Sequence, residues 1–166
     1  GAPGLTAMAR PGESRRWFAL ALLAALGAVA AALVSQHRFA MEPCAWCVFS
    51  RLVFVAIALV AAFGLLLRGA VVARALAGLG IVLAAIGIAA SAWQHWVAAR
   101  SGSCNLTLAD RIVAWTTLNE RLPSVFEARA SCADAAVDLL GIPYDLWALA
   151  AFVVVGLLLA TAIARI

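Results

Sequence analysis

Four apolar stretches of about 20 residues constrain this chain more than any other feature. A stretch of that length crosses the hydrocarbon core of a bilayer as an α-helix, in which the backbone polar groups bond to one another. No segment shows the alternating pattern of a barrel strand. We therefore expect an all-α membrane protein, a four-transmembrane-helix bundle with a long loop between helices 3 and 4. The four predicted spans are Trp17–Ser35, Ala45–Leu67, Ala75–Val97 and Pro143–Ala164.

The composition agrees with a membrane protein, since 66% of the residues are hydrophobic and the mean hydropathy is +1.05. The net charge of +4 could attract an anionic partner. All twelve basic residues are arginines, however, and they are scattered between the apolar stretches with no dense cluster to grip a phosphate backbone. The lipid bilayer is therefore an expected partner, and nucleic acid is not.

Residues 17–166 are interpreted as a single membrane domain. Residues 1–16 are interpreted as a segment outside it, made of foreign residues and the cytoplasmic N-terminus. The opening letters GAPGLTA read as residues foreign to the native chain, ahead of a start at Met8. Arg15 and Arg16 before the first apolar stretch also fit a secretory signal peptide. The stretch is longer than the apolar core of a signal peptide, which has about 7 to 15 residues, so we expect the span to be retained.

The distribution of arginines predicts the orientation of the spans. An even number of spans places both termini and the 68–74 loop on one side, and the loops at about residues 36–44 and 98–142 on the other. Arginine near span ends favours the cytoplasmic side. Both termini are therefore predicted to be cytoplasmic and the two loops periplasmic, because the first side carries more of these arginines. The side with the termini and the 68–74 loop carries Arg10, Arg15, Arg16, Arg68, Arg74 and Arg165 near span ends. The other side carries Arg38, Arg100 and Arg129.

All four cysteines fall on the predicted outer side: Cys44, Cys47, Cys104 and Cys132. Thiols there can form disulfides, and the nearest pairing in sequence joins Cys44 to Cys47 and Cys104 to Cys132. No metal is expected, because a zinc site would want two close pairs. Two structural disulfides are an alternative, since closing the 104–132 loop would stabilise by roughly 3–4 kcal/mol. A Cys44–Cys47 bridge closes almost no loop, however, and such close pairs are more often redox-active.

The close pair is predicted to lie at the start of a helix, where Pro43 before Cys44 is well tolerated. The exposed N–H groups and the dipole of a helix start favour thiolate over thiol. Arg51, one turn deeper than Cys47, could extend to the lipid headgroups or donate hydrogen bonds to a quinone oxygen. His95, near the outer end of the third span, could reach the same ligand, deliver a proton or serve only as an interfacial histidine.

The long loop has a helical pattern of its own, with apolar residues at spacings of three, three and four: Ile112, Trp115, Leu118 and Leu122. This stripe predicts a helix that lies in the membrane interface or packs on the bundle. The segments RSGSC and EARASC have little to order them. We therefore expect Cys104 and Cys132 to move between a soluble partner and the close pair.

A redox pair at the membrane surface needs a two-electron partner. The sequence has no G-x-G-x-x-G dinucleotide fingerprint, and Val48 after Cys47 breaks the C-x-x-C-H haem pattern. A lipid-soluble acceptor is therefore expected. The second thiol pair would exchange with soluble proteins through mixed disulfides.

From Trp17 onward the chain resembles the disulfide bond formation protein B (DsbB) family. The resemblance rests on QHRFAMEPCAWCVFSR after the first helix, WQHW at the end of the third, the two loop cysteines, and LLGIPYDLWAL entering the fourth. The chain departs from the best-known members at Ser50, where a glutamate is expected, and Trp46 is a bulky residue between the cysteines.

The resemblance implies an enzyme of the bacterial inner membrane that reoxidises a periplasmic thioredoxin-fold oxidase similar to DsbA, with ubiquinone or menaquinone as acceptor. The reduced partner would attack the Cys104–Cys132 disulfide and form a mixed disulfide with Cys104. Cys132 would then attack Cys44, and the freed Cys47 thiolate would engage the quinone.

The resemblance also implies roles for two other residues. Arg51 would stabilise the thiolate and the reduced quinone, and His95 would line the same pocket. A vitamin K epoxide reductase-like protein is the nearest alternative enzyme, but its close cysteine pair lies on the last helix. A non-catalytic scaffold with structural disulfides is the alternative from another class.

Overall fold

The computed structural model describes residues 12–39, 45–98, 108–128 and 138–166. Four helices in these ranges are long and apolar enough to cross a membrane, which confirms the predicted all-α, four-helix membrane protein. The elements are α1 (Glu13–Phe39), α2 (Ala45–Leu66), α3 (Ala70–Trp93), a π-helical segment (Gln94–Ala98), α4 (Leu108–Thr116), α5 (Leu118–Arg121), α6 (Pro123–Phe126), β1 (Asp138–Leu139), β2 (Ile142–Pro143) and α7 (Tyr144–Ala164).

Two membrane helices extend past the predicted spans at their charged ends. Helix α1 begins at Glu13 and takes in His37 and Arg38, and α3 begins early enough to include Arg74. Hydropathy marks only the part of a helix that lies in hydrocarbon, whereas charged side chains at the ends reach the headgroups while the backbone stays helical. Glu13 in the first turn of α1 and the basic residues in its last turn also suit the helix dipole.

The four long helices pack as a ring in which α1 and α3 each contact both α2 and α7. Three residues join α2 to α3, so these helices are antiparallel neighbours. The last of them, Gly69, has a φ of 116°, a backbone conformation that favours glycine. The start of α2, which carries Cys47, therefore lies at the opposite end of the bundle from the α2–α3 turn.

Small residues let the helices approach closely. Buried alanines line the contacts of α1 and α3, and Gly87 of α3 faces the ring of Phe152 so closely that a methyl group there would overlap it. Phe152 is fully buried and stacks on Phe54 of α2, with 3.9 Å between ring centroids. This aromatic pair joins three helices in the middle of the bundle.

The loop between α3 and α7 is packed on the bundle where it is described. Ala109 and Val113 of α4 are buried, and α4 contacts α2. The predicted stripe does not form one continuous face, because the chain turns at Thr117 with a φ of 59° and Trp115 is 85% exposed. Helix α4 thus packs on the bundle, one of the two predicted arrangements. Cys104 and Cys132, which were expected to move between partners, lie outside the described residues.

A short hairpin leads into α7. Strands β1 and β2 pair antiparallel through Leu139 and Ile142, so Leu140 and Gly141 form a two-residue turn. Both have positive φ, 56° and 80°, as such a hairpin turn requires. Helix α7 begins directly after β2, which places Asp145 in its first turn.

Candidate functional site

Cys47 lies in the first turn of α2 and is partly exposed. The side-chain amide of Gln94 donates a hydrogen bond to its sulfur, with 3.1 Å between Nε2 and Sγ. Gln94 is only 4% exposed, so this donor is held in a protected position. The contact places a hydrogen-bond donor against the sulfur, in addition to the N–H groups of the helix start.

Gln94 opens the π-helical segment that ends α3. A π-helical turn changes the directions of successive side chains relative to an α-helix, and such turns are frequent at functional sites. Here Gln94 reaches α2, whereas the next residue, His95, reaches α7. The sequence WQHW therefore links α3 to both of its neighbours, α2 and α7, through adjacent side chains.

His95 contacts Asp145, with Nδ1 3.0 Å from one carboxylate oxygen and 3.1 Å from the other. Asp145 is 5% exposed and His95 is 24% exposed. An ionised carboxylate only accepts hydrogen bonds, which assigns the shared hydrogen to Nδ1 and leaves Nε2 for another partner. The ring of Trp96 packs against the imidazole edge to face, at 4.7 Å.

Arg51 is 4% exposed, so its side chain is covered by protein and does not extend to the headgroups. Its Nη1 donates to the side-chain carbonyl of Gln36 at 2.6 Å and to the backbone carbonyl of Val125 at 2.9 Å, and its Nη2 donates to the carbonyl of Ala32 at 3.5 Å. The guanidinium thus joins α2 to α1 and α6. His37 of α1 also contacts α6, at the carbonyl oxygen of Ser124.

The structure brings some of the predicted site residues together, and others lie outside the described residues. Cys47 and His95 lie at the same end of the bundle, on neighbouring helices connected through Gln94. Arg51 lies one turn deeper than Cys47, as predicted, and its described partners are on α1 and α6. The other three predicted cysteines lie outside the described residues: Cys44, Cys104 and Cys132.

Sequence reasoning missed three polar residues at this end: Gln36, Gln94 and Asp145. Each is buried and bonded to a predicted site residue. A signal was present, because a polar side chain inside or at the edge of an apolar span is costly and tends to be retained for a function. Asp145 nevertheless resembled an ordinary acidic residue in the first turn of a helix.

Three buried donors near Cys47 and Gln94 have no hydrogen-bond acceptor among the described residues. They are the indole N–H of Trp46 and the hydroxyls of Ser50 and Ser91. Ser50 lies one turn deeper than Cys47, and Ser91 lies one turn deeper than Gln94. Buried donors are usually paired, so these three are candidates for bonds to an acceptor that is not among the described residues.

The sequence model of the disulfide bond formation protein DsbB family matches residues 14–162. The chain belongs to the disulfide bond formation protein B family. Disulfide bond formation protein B 2 of Pseudomonas aeruginosa is 29% identical over 165 residues, 96% of each chain. Disulfide bond formation protein B of Dechloromonas aromatica is 32% identical over 146 residues, 83% of this chain and 85% of the relative. No solved structure matches the chain.

Membership in the DsbB family makes this protein a multi-pass membrane oxidoreductase of disulfide bond formation. The resemblance stated from EPCAWCVFSR and WQHW is confirmed. The match favours this family over the vitamin K epoxide reductase-like alternative and over an inert scaffold. At the candidate site, the described hydrogen bonds join Gln94 to Cys47 and His95 to Asp145.

Proposed function

We propose that the protein reoxidises a periplasmic DsbA-like thiol oxidase and passes the two electrons to ubiquinone or menaquinone in the bacterial inner membrane. Both termini would be cytoplasmic and the cysteines periplasmic. The observation that carries this proposal is the hydrogen bond from buried Gln94 to Cys47 at the end of a membrane span. It supports a sulfur that is kept reactive where a lipid-soluble acceptor can approach.

The first half of the proposed relay transfers the disulfide to the partner. A partner thiolate attacks Cys104 Sγ, forms a mixed disulfide and releases the Cys132 thiolate. Cys132 then attacks Cys44 Sγ, which breaks the Cys44–Cys47 bond and releases the Cys47 thiolate. The second partner thiol attacks its own mixed disulfide, so the partner leaves oxidised and Cys104 leaves as a thiolate.

The second half restores the enzyme. Cys104 attacks Cys132 and re-forms their disulfide, which releases the Cys44 thiolate and leaves Cys44 and Cys47 reduced. A quinone, when bound, supplies the oxidising power, because it takes up two electrons and two protons. Re-formation of the Cys44–Cys47 bond gives up two electrons and two protons, so the cycle balances with one partner disulfide made per quinone reduced.

The described residues suit a quinone. A quinone presents two carbonyl acceptors on a flat apolar ring. Trp46, Ser50 and Ser91, whose donors have no acceptor among the described residues, belong to the Cys47 end of α2 and the Gln94 end of α3. These residues would hold the ring by hydrogen bonds. We retain His95 as a residue of the same pocket, where its Nε2 can hold or pass a proton while Asp145 fixes the ring.

Arg51 is proposed to act through its charge. Its guanidinium is buried one turn deeper than Cys47 and is fixed by carbonyl oxygens from α1 and α6. A positive charge held in a protected place favours negative charge on the nearby sulfur and on a reduced acceptor. The same bonds make Arg51 part of the packing that joins α6 to the bundle.

The test is quinone reduction by the purified full-length chain with a reduced DsbA-like partner. Cys47→Ser is expected to abolish turnover, because the serine hydroxyl cannot carry the electrons. The same variant should still form a mixed disulfide with the partner at Cys104, which shows that it is folded. Quinone reduction by the serine variant at the wild-type rate, or no quinone reduction by wild type, would contradict the proposal.

A further inference from the structure

A recess lies at the end of the bundle opposite Cys47. Its volume is about 620 Å³, and three arginines from separate parts of the chain line it: Arg15 in α1, Arg68 in the α2–α3 turn and Arg165 after α7. The recess forms where α1 and α3 begin and where α2 and α7 end. The ends of all four membrane helices therefore contribute to one basic cavity.

The positive charge of the recess is only partly balanced. Arg165 pairs with Glu13 at 3.2 Å, in a partly exposed contact. Among the described residues, Arg15 and Arg68 have no hydrogen bond or ion pair. Charges of the same sign that converge on one cavity repel each other, and a bound anion relieves that repulsion. Guanidinium groups match the oxygen geometry of phosphate especially well.

The floor of the recess is apolar and fixed. Phe18 is 1% exposed and lies against Gly64 of α2, where a Cβ atom would come within 2.6 Å of the Phe18 ring. The absence of a side chain at Gly64 thus lets the ring close the bottom of the cavity between α1 and α2. A ligand is accordingly held near the helix ends, within reach of the arginines.

Exposed apolar residues flank the α2–α3 turn, whose residues 67–70 line the recess. Leu66 is 74% exposed, Leu67 is 49% exposed, and Val71 at the start of α3 is 79% exposed. In a membrane these side chains face hydrocarbon. A ligand that suits both surfaces carries a phosphate for the arginines and hydrocarbon chains for these apolar residues.

We propose that this recess binds the phosphate group of an anionic phospholipid, with Arg15, Arg68 and Arg165 on the phosphate and the acyl chains along Leu66 and Val71. Basic pockets between membrane helices at the headgroup level are suited to such lipids. Free inorganic phosphate shares the arginine chemistry but has nothing to place on these apolar residues. The site lies at the opposite end of the bundle from Cys47.

The experiment compares three forms of the full-length protein in phosphatidylcholine nanodiscs with increasing fractions of phosphatidylglycerol. They are the wild type, the double variant Arg15→Gln/Arg68→Gln, and the control Arg111→Gln/Arg121→Gln. The control removes the same charge from two exposed arginines at the other end of the molecule. The readouts are the thermal unfolding midpoint and the number of phosphatidylglycerol molecules retained in native mass spectrometry.

We expect phosphatidylglycerol to raise the unfolding midpoint of wild type and control, and the double variant to lose this rise and to retain the lipid roughly tenfold less tightly. In pure phosphatidylcholine the double variant should unfold at the same temperature as the other two or slightly higher, because it lacks the repulsion between the arginines, and this excludes a folding defect. An equal response of all three proteins to phosphatidylglycerol overturns the site. A rise of the same size with inorganic phosphate in pure phosphatidylcholine overturns the lipid as its ligand.

Discussion

The side chain of Asp145 carries the sharpest prediction for a single residue. It is buried and fixes the Nδ1 side of His95, so we regard it as a positioning residue for the imidazole. Asp145→Asn removes the charge and allows the ring to turn. We expect kcat for quinone reduction to fall roughly tenfold to a hundredfold, because general acid–base assistance depends on that orientation. The KM for the thiol partner should not change.

Asp145→Glu should restore part of the lost rate, since a carboxylate would again face the ring. Glu120→Gln removes an exposed carboxylate from α5 and serves as the control. Stopped-flow measurement of quinone reduction, alongside the rate of mixed-disulfide formation, separates the two halves of the cycle. An equal loss in both rates would mean that Asp145 only stabilises the fold.

At the level of single residues, the sequence predicted positions along one helix well and hydrogen bonds between helices poorly. The spacing that places Arg51 one turn deeper than Cys47 on one helix could be read directly. The bond between His95 and Asp145 joins residues 50 apart, and no local pattern specifies it. The π-helical turn that directs Gln94 and His95 to different helices also has no signature in WQHW.

Among the elements, helix α3 offers a test of close packing with a matched control in the same helix. Gly87 faces the buried ring of Phe152, whereas a methyl group added at Gly78 would have no neighbour within 4 Å. Phe152 is held against Phe54 and has little room to move. Gly87→Ala should therefore lower the free energy of unfolding by about 1–3 kcal/mol.

Gly78→Ala introduces the same methyl group without a clash and should leave stability unchanged or slightly improved. Chemical unfolding of both variants in detergent micelles, followed by circular dichroism, gives the comparison. Similar stability of the two variants would show that α3 and α7 can separate without loss.

The long helices were predictable because about 20 apolar residues in a row have few alternatives to a membrane span. The helix α4 was harder, since an apolar stripe does not reveal where the helix stops. Thr116 donates a side-chain hydrogen bond to the carbonyl of Val113 and ends the helix one residue before the turn. The face that packs on α2 is formed by Ala109 and Val113, and Trp115 points away from it.

Considered as a whole, the molecule separates two chemistries along the length of its bundle. The thiol of Cys47 and the His95–Asp145 pair lie at one end, and the basic recess of Arg15, Arg68 and Arg165 lies at the other. The positive-inside rule predicts that the end with the recess faces the cytoplasm and that the sulfur of Cys47 faces the periplasm. An inverted protein would expose its thiols to the reducing cytosol and could not sustain disulfide formation.

The orientation can be measured with single cysteines placed at the two ends of a variant in which all four native cysteines are serine. Arg121→Cys in α5 and Arg16→Cys in α1 exchange exposed arginines of the same kind, so their intrinsic reactivities are comparable. A membrane-impermeant maleimide added to cells with a permeable outer membrane should label Arg121→Cys. Arg16→Cys should react only after lysis, because the inner membrane shields the cytoplasmic end; labelling in the reverse order would place the thiol site in the cytosol and exclude a periplasmic partner.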